Sequence, residues 1–126
     1  MGLEEATILA CAQAALSAVR EADVACDYLD AEQPEPASKH AQAAVRAAAR
    51  AANQAASVRA QLPAKARRAR LVQKAAQAAM EAALGASNAE IDTSDLDRVL
   101  GRAQRSALAL FELVGATPPE KPIAYQ

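Results

Sequence analysis

Histidine occurs once in these 126 residues, as His40, and tryptophan does not occur at all. A bundle-type di-iron centre built from paired Glu-x-x-His motifs needs two histidines, so that chemistry is excluded. Two cysteines, Cys11 and Cys26, lie fifteen residues apart on one predicted helix, roughly 22 Å at a 1.5 Å rise. That is too far for a disulfide or a shared metal, so both read as free thiols and small core residues, Cys26 above all. Zinc sites of the Cys/His kind lack ligands at workable spacing. With only four glycines there is no glycine-rich phosphate loop, no glycine-flanked nucleophilic serine and no haem-attachment CxxCH. His40 reads as a partly exposed residue near the start of a helix, not a base. The expectation is no enzyme, no cofactor, no metal and no small-molecule substrate.

Long apolar runs are missing too. None approaches the ~20 residues of a membrane span. The opening MGLEEAT has no basic segment ahead of a long apolar one, so no leader is expected, and Ala6 breaks the myristoylation pattern. With free thiols, this favours a cytoplasmic location. Large aliphatics are scarce as well: Leu, Ile, Val and Phe make up 23 residues, against 37 alanines. Leucine-poor composition invites disorder, but disorder also wants a high net charge, and the net charge here is −1. Alanine is the strongest helix former because it loses no side-chain entropy on ordering. The composition therefore predicts a folded all-α domain with a thin, alanine-heavy core.

Charge is where the sequence is rich. Between Pro36 and Met80 there is no acid, and Lys39, Arg46, Arg50, Arg59, Lys65, Arg67, Arg68, Arg70 and Lys74 give that block +9. Residues 1–35 carry −7 and residues 81–126 carry −3. A near-neutral chain is thus assembled from strongly charged blocks of opposite sign.

Four helical periodicities follow one another. Over residues 3–31 a heptad seam runs through Ile8, Ala12, Ala15, Val19, Ala22, Cys26 and Leu29, with Leu9 and Leu16 widening it. Val24 and Tyr28 sit among polar residues on the other face and are candidates for contact with another chain. Pro34 and Pro36 end this helix. A second helix over 37–61 has the seam Ala41, Ala44, Ala48, Ala51, Ala55, Val58 and Leu62, so neighbouring backbones should approach closely. Its polar stripe is Lys39, Gln42, Arg46, Arg50, Asn53 and Ser57. Arg59 leans to the apolar side and should snorkel or meet a carboxylate. Pro63 either breaks or kinks the chain; a break is favoured, since an unbroken helix from 37 to 84 would run ~70 Å. Pro63 would then open a third helix over 63–84. That helix has an apolar face of Ala69, Val72, Ala76, Ala79 and Ala83, with Arg68 leaning toward it, and Gly85 as its left-handed cap. Asp92, Thr93 or Ser94 caps a fourth helix over 93–114, with Ile91 stapling onto Leu96. Its seam is Leu96, Leu100, Ala103, Ala107, Leu110 and Val114, broadened by Val99 and Phe111. Leu108 and Leu113 lie wider than one seam needs and join the contact candidates. Gly115 and Pro118-Pro119 stop it.

Similar helix lengths and short connections predict an up-down-up-down four-helix bundle over 1–115 with coiled-coil-like packing. An extended or flexible tail over 116–126 follows, mobile unless Ile123 and Tyr125 dock. Two roles compete. The first is a non-enzymatic protein-interaction module (adaptor, inhibitor or structural subunit) that self-associates, with a homodimer expected because a thin core gains by covering more surface. The second is a nucleic-acid binder using Arg46, Arg50, Arg67, Arg70 and Lys74. Against the second, the basic block has no aromatic ring for a base to stack on, and the pI is about 5.8.

Overall fold

Each of the four periodicities becomes one helix: α1 over Leu3–Asp30, α2 over Pro34–Gln61, α3 over Arg67–Ala86 and α4 over Thr93–Leu113. The structure, a computed structural model, describes residues 2–63, 66–88 and 92–120. Their directions follow from which residues meet. Glu21 pairs with His40 and the Cys11 thiol reaches the Ala51 carbonyl, so α1 and α2 run antiparallel. Glu4 meets Arg68 near the starts of α1 and α3, while Leu29 and Ala86 share one crevice near their ends, so those two are parallel. Asp97, early in α4, bears on Cys26, late in α1, so α4 starts where α1 finishes. The result is the expected all-α, up-down-up-down four-helix bundle. Helix α1 packs on all three others. Among the described residues no helix is long and apolar enough to cross a membrane.

The core is as thin as the composition implies. Apart from alanine, the buried apolar set among the described residues holds only Ile8, Cys11, Leu16, Val19, Val58, Val72, Leu96, Leu100, Leu110 and Phe111. Five of these, Ile8, Val58, Val72, Leu110 and Phe111, crowd the end where α1 and α3 begin and α2 and α4 finish. The opposite end is filled by Ala22, Ala25, Ala37, Ala41, Ala82, Ala83 and Ala86, with Leu96 the one large buried side chain there among the described residues. The expected seams are buried except at their ends, where Cys26, Leu29, Leu62 and Val114 are half-buried, and α1 and α3 each bury a second stripe: Cys11, Ala14, Ala18 and Ala25 on one, Ala75, Ala78, Ala82 and Ala86 on the other. A methyl group fits either a helix face or a helix interface, so alanine spacing alone does not set the width of the buried face.

Several helix ends depart from expectation. Helix α1 is closed before the prolines by a Schellman turn: Gln33 N–H donates to Tyr28 carbonyl at 2.8 Å and Glu32 N–H to Leu29 carbonyl at 3.0 Å. Its left-handed residue is Glu32, with φ of 59°. Helix α2 starts at Pro34, not at 37, because prolines in a first turn lack N–H groups that have no intrahelical partner anyway. The break at Pro63 is real: Leu62 is extended (φ −125°, ψ 150°) and α3 begins at Arg67, not at Pro63. Gly85 does not cap α3. It is buried inside the helix, which continues to Ala86, itself 4% exposed. Asp92 is the cap of α4, accepting from Ser94 N–H at 2.8 Å. Ile91 and its staple, like Ile123 and Tyr125, lie outside the described residues. Gly115 closes α4 as expected, at φ 69°, in the same Schellman pattern.

Candidate interaction surface

The antiparallel arrangement turns charged blocks of sequence into charged ends of the molecule. Acids concentrate late in α1 (Asp23, Asp27, Asp30), in the following turn and start of α2 (Glu32, Glu35), and early in α4 (Asp95, Asp97), with the cap Asp92. The topology brings all of these to one end. Bases concentrate at the other, from Arg59 late in α2 and from Arg67, Arg68, Arg70 and Lys74 early in α3. Two of these clusters oppose their own helix. The last turn of α1 holds no base and the first turn of α3 holds no acid. A charge matched to the helix dipole contributes about 0.3–1 kcal/mol, so acids at the α1 C-terminus and arginines at the α3 N-terminus cost stability on that scale.

Part of this charge is neutralised within the chain. Arg68 Nη1 donates to Glu4 Oε2 at 3.3 Å, Arg102 and Glu81 approach to 3.6 Å, and Arg98 pairs with Asp95 one turn away. Lys39, Arg46, Arg50, Arg59, Arg67 and Lys74 are exposed and have no ion-pair partner among the described residues. Arg59, expected to snorkel or find a carboxylate, simply projects into solvent. Arg46 and Arg50 on α2, and Arg67, Arg70 and Lys74 on α3, all face outward on neighbouring helices.

Near the acidic end a small constellation ties α1 to α2. His40 Nδ1 lies 2.6 Å from Glu21 Oε2, and the Tyr28 ring stacks on the imidazole with centroids 5.4 Å apart and planes 14° from parallel. His40 sits in the second turn of α2 and is half-buried, so the carboxylate and the ring hold it as a clamp between helices. Tyr28 is thus occupied within the chain. Val24 is half-buried nearby, Leu113 packs on the core, and Leu108 is half-buried on α4. Val24 and Tyr28 fall in one half of the bundle, Leu108 and Leu113 in the other, roughly 20 Å along the axis. The four contact candidates therefore form two pairs, not one patch.

A groove of about 550 Å³ runs between α1 and α4, floored by Leu16, Val19, Leu100 and Gly101 and edged by Arg20, Asp23, Asp97 and Gln104. Arg20, the only base in the first 35 residues, also receives the chain after α4. Its guanidinium donates to the Pro119 carbonyl and, at 3.5 Å, to the Glu120 carbonyl. Residues 116–120 have no regular structure and bring the chain from the Schellman turn to Arg20 of α1.

The thiols differ from expectation in which is the core residue. Cys11 is fully buried and donates to Ala51 carbonyl at 3.5 Å; Cys26 is only half-buried. Burial pushes the Cys11 thiol up to about 12. Cys26 is raised to about 11, first by burial and then by the negative field of Asp23, Asp30, Asp27 and Asp97. Among the described residues no three His, Cys, Asp or Glu side chains are grouped to hold a metal ion. Comparison with family models, curated proteins and solved structures returns no match for the chain.

Proposed function

We propose that the protein is a non-enzymatic interaction module that recognises its partner through its charged ends. The observation that carries this is the placement of acids at the α1 C-terminus and arginines at the α3 N-terminus, where each opposes its own helix. Sequences that break a local rule in this way do so at functional sites more than elsewhere. Complementary charge of this sort selects and orients a partner more than it adds affinity. The role fits an adaptor, an inhibitor or a structural subunit.

The test is affinity capture and cross-linking from native extract with the immobilised full chain. It is run beside one variant neutralised at each end, Asp27→Asn/Asp30→Asn and Arg67→Ala/Lys74→Ala. Specific capture that either variant loses supports the proposal. Equal capture by all three chains sinks it.

A second reading rests on the outward-facing Arg46, Arg50, Arg67, Arg70 and Lys74 on adjacent helices. Five phosphate contacts would give binding that falls steeply with salt. Retarded DNA or RNA at about 50 mM salt, lost in Arg46→Ala/Arg50→Ala, would favour it.

A further inference from the structure

We infer that the partner of the charged ends is a second copy of this chain, laid alongside in the antiparallel sense about a two-fold axis. This rests on the interaction-module reading above and goes further by naming the partner and its orientation. A single near-neutral chain carries both signs, −7 over residues 1–35 and +9 over Pro36–Met80. The fold gathers Asp23, Asp27, Asp30, Glu32 and Glu35 toward one end and Arg59, Arg67, Arg68, Arg70 and Lys74 toward the other, while Glu4 and Glu5 stay at the basic end and Lys39 at the acidic one. Each copy therefore offers the complement of what it needs. Turning one copy end for end sets Asp27 and Asp30 of each beside the Arg67–Lys74 segment of the other, twice over. A two-fold axis closes the assembly at two copies, whereas stacking end on end would leave an open filament.

Area decides between those two arrangements. Helix α1 has 28 residues, about 42 Å of helix, and a four-helix bundle is roughly 20 Å across. One end offers on the order of 300–400 Å², short of the ~800 Å² per partner that stable interfaces bury. A side offers about 800 Å² and engages both charged ends at once.

The test uses the full chain. Light scattering after size exclusion should give twice the 13.1 kDa chain mass at low salt, shifting to single copies at about 0.5–1 M salt as the charges are screened. Zero-length carbodiimide coupling in a mixture of ¹⁴N- and ¹⁵N-labelled chains should join Asp27 or Asp30 to Lys74 between copies. Within one chain those groups sit on different helices and roughly 15–30 Å apart along the bundle. Arg67→Ala/Lys74→Ala, checked for native helicity by circular dichroism, should be a single copy at every salt, as should Asp27→Asn/Asp30→Asn. Species that grow without limit as concentration rises overturn the two-fold arrangement. A dimer that persists in both variants overturns the assignment to the ends. Retarded RNA with no dimer transfers the basic end to a polyanion. Single copies that still capture other proteins through either end overturn this inference alone, and single copies that capture nothing overturn the module reading as well.

Discussion

Glu32 and Gly115 occupy equivalent places in two helix-closing turns, both left-handed, at φ 59° and 69°. Only glycine takes that conformation without crowding its own Cβ; other residues cost roughly 1–2 kcal/mol there. Part of that is returned because glycine is freer in the unfolded chain. Glu32→Gly should therefore raise stability by about 0.5–1 kcal/mol and Gly115→Ala lower it by about 1 kcal/mol. Urea titrations should show the midpoints moving in opposite directions at constant slope. Equal shifts would mean the two turns are not equivalent. The thiols give a second residue-scale expectation. Cys26, held near 11 against an ordinary 9.0, should alkylate about a hundredfold more slowly than an unperturbed thiol at neutral pH. Cys11, near 12, should be inert in the native state. Because its folded value is raised, the unfolded chain ionises first as pH climbs past 9, so Cys11 erodes stability only on the alkaline side, between about 9 and 12. Cys11→Ala should flatten that alkaline decline, measured as urea midpoint against pH.

Within single helices, the sequence is legible wherever an apolar stripe has a polar one opposite. On α2 the stripe Ala41, Ala44, Ala48, Ala51, Ala55 and Val58 is buried as its spacing indicates, and Arg46, Arg50 and Asn53 are exposed. Legibility fails where alanine stands on every side. The second buried stripes of α1 and α3 exist because α1 lies against all three partners and α3 beside it, a fact of assembly that no local spacing carries. Helix ends are misread for a related reason. The left-handed turn after α1 uses a glutamate, while the glycine at 85 is buried inside α3. Of the candidate surface, the blocks of charge are plain in the sequence, but their gathering at two ends follows only once helix directions are known. Adjacent alanines on α2 test this distinction. Ala48→Leu, at 0% exposure, should overpack the core and cost about 1–3 kcal/mol. Ala49→Leu, one residue on and exposed, should be nearly neutral. Similar thermal midpoints for the two would show that the packing around α2 is looser than an alanine seam requires.

Taken whole, the bundle is graded from end to end in two properties that reinforce each other. The end holding Ile8, Val58, Val72, Leu110 and Phe111 has the large buried side chains. The end holding Ala22, Ala25, Ala37 and Ala41 has the small ones and also the clustered acids Asp23, Asp27, Asp30 and Asp97, whose joint field reaches Cys26. Burial contributes about 25 cal/mol per Å², so the alanine end gains less from packing while like charges there repel. Local opening should be easier at that end. Amide exchange can read this within one helix, because Ile8–Ala12 and Ala22–Cys26 lie similar distances from the two termini of α1. In the Arg67→Ala/Lys74→Ala background, chosen to keep the chain in single copies, Ala22–Cys26 should exchange faster than Ile8–Ala12. On α4 the segment 97–101 should likewise exchange faster than 107–111. Raising salt from about 50 to 500 mM shortens the screening length to a few ångströms and should slow exchange along Ala22–Cys26 more than along Ile8–Ala12. Uniform protection along α1, indifferent to salt, would show that neither the small side chains nor the crowded carboxylates weaken that end.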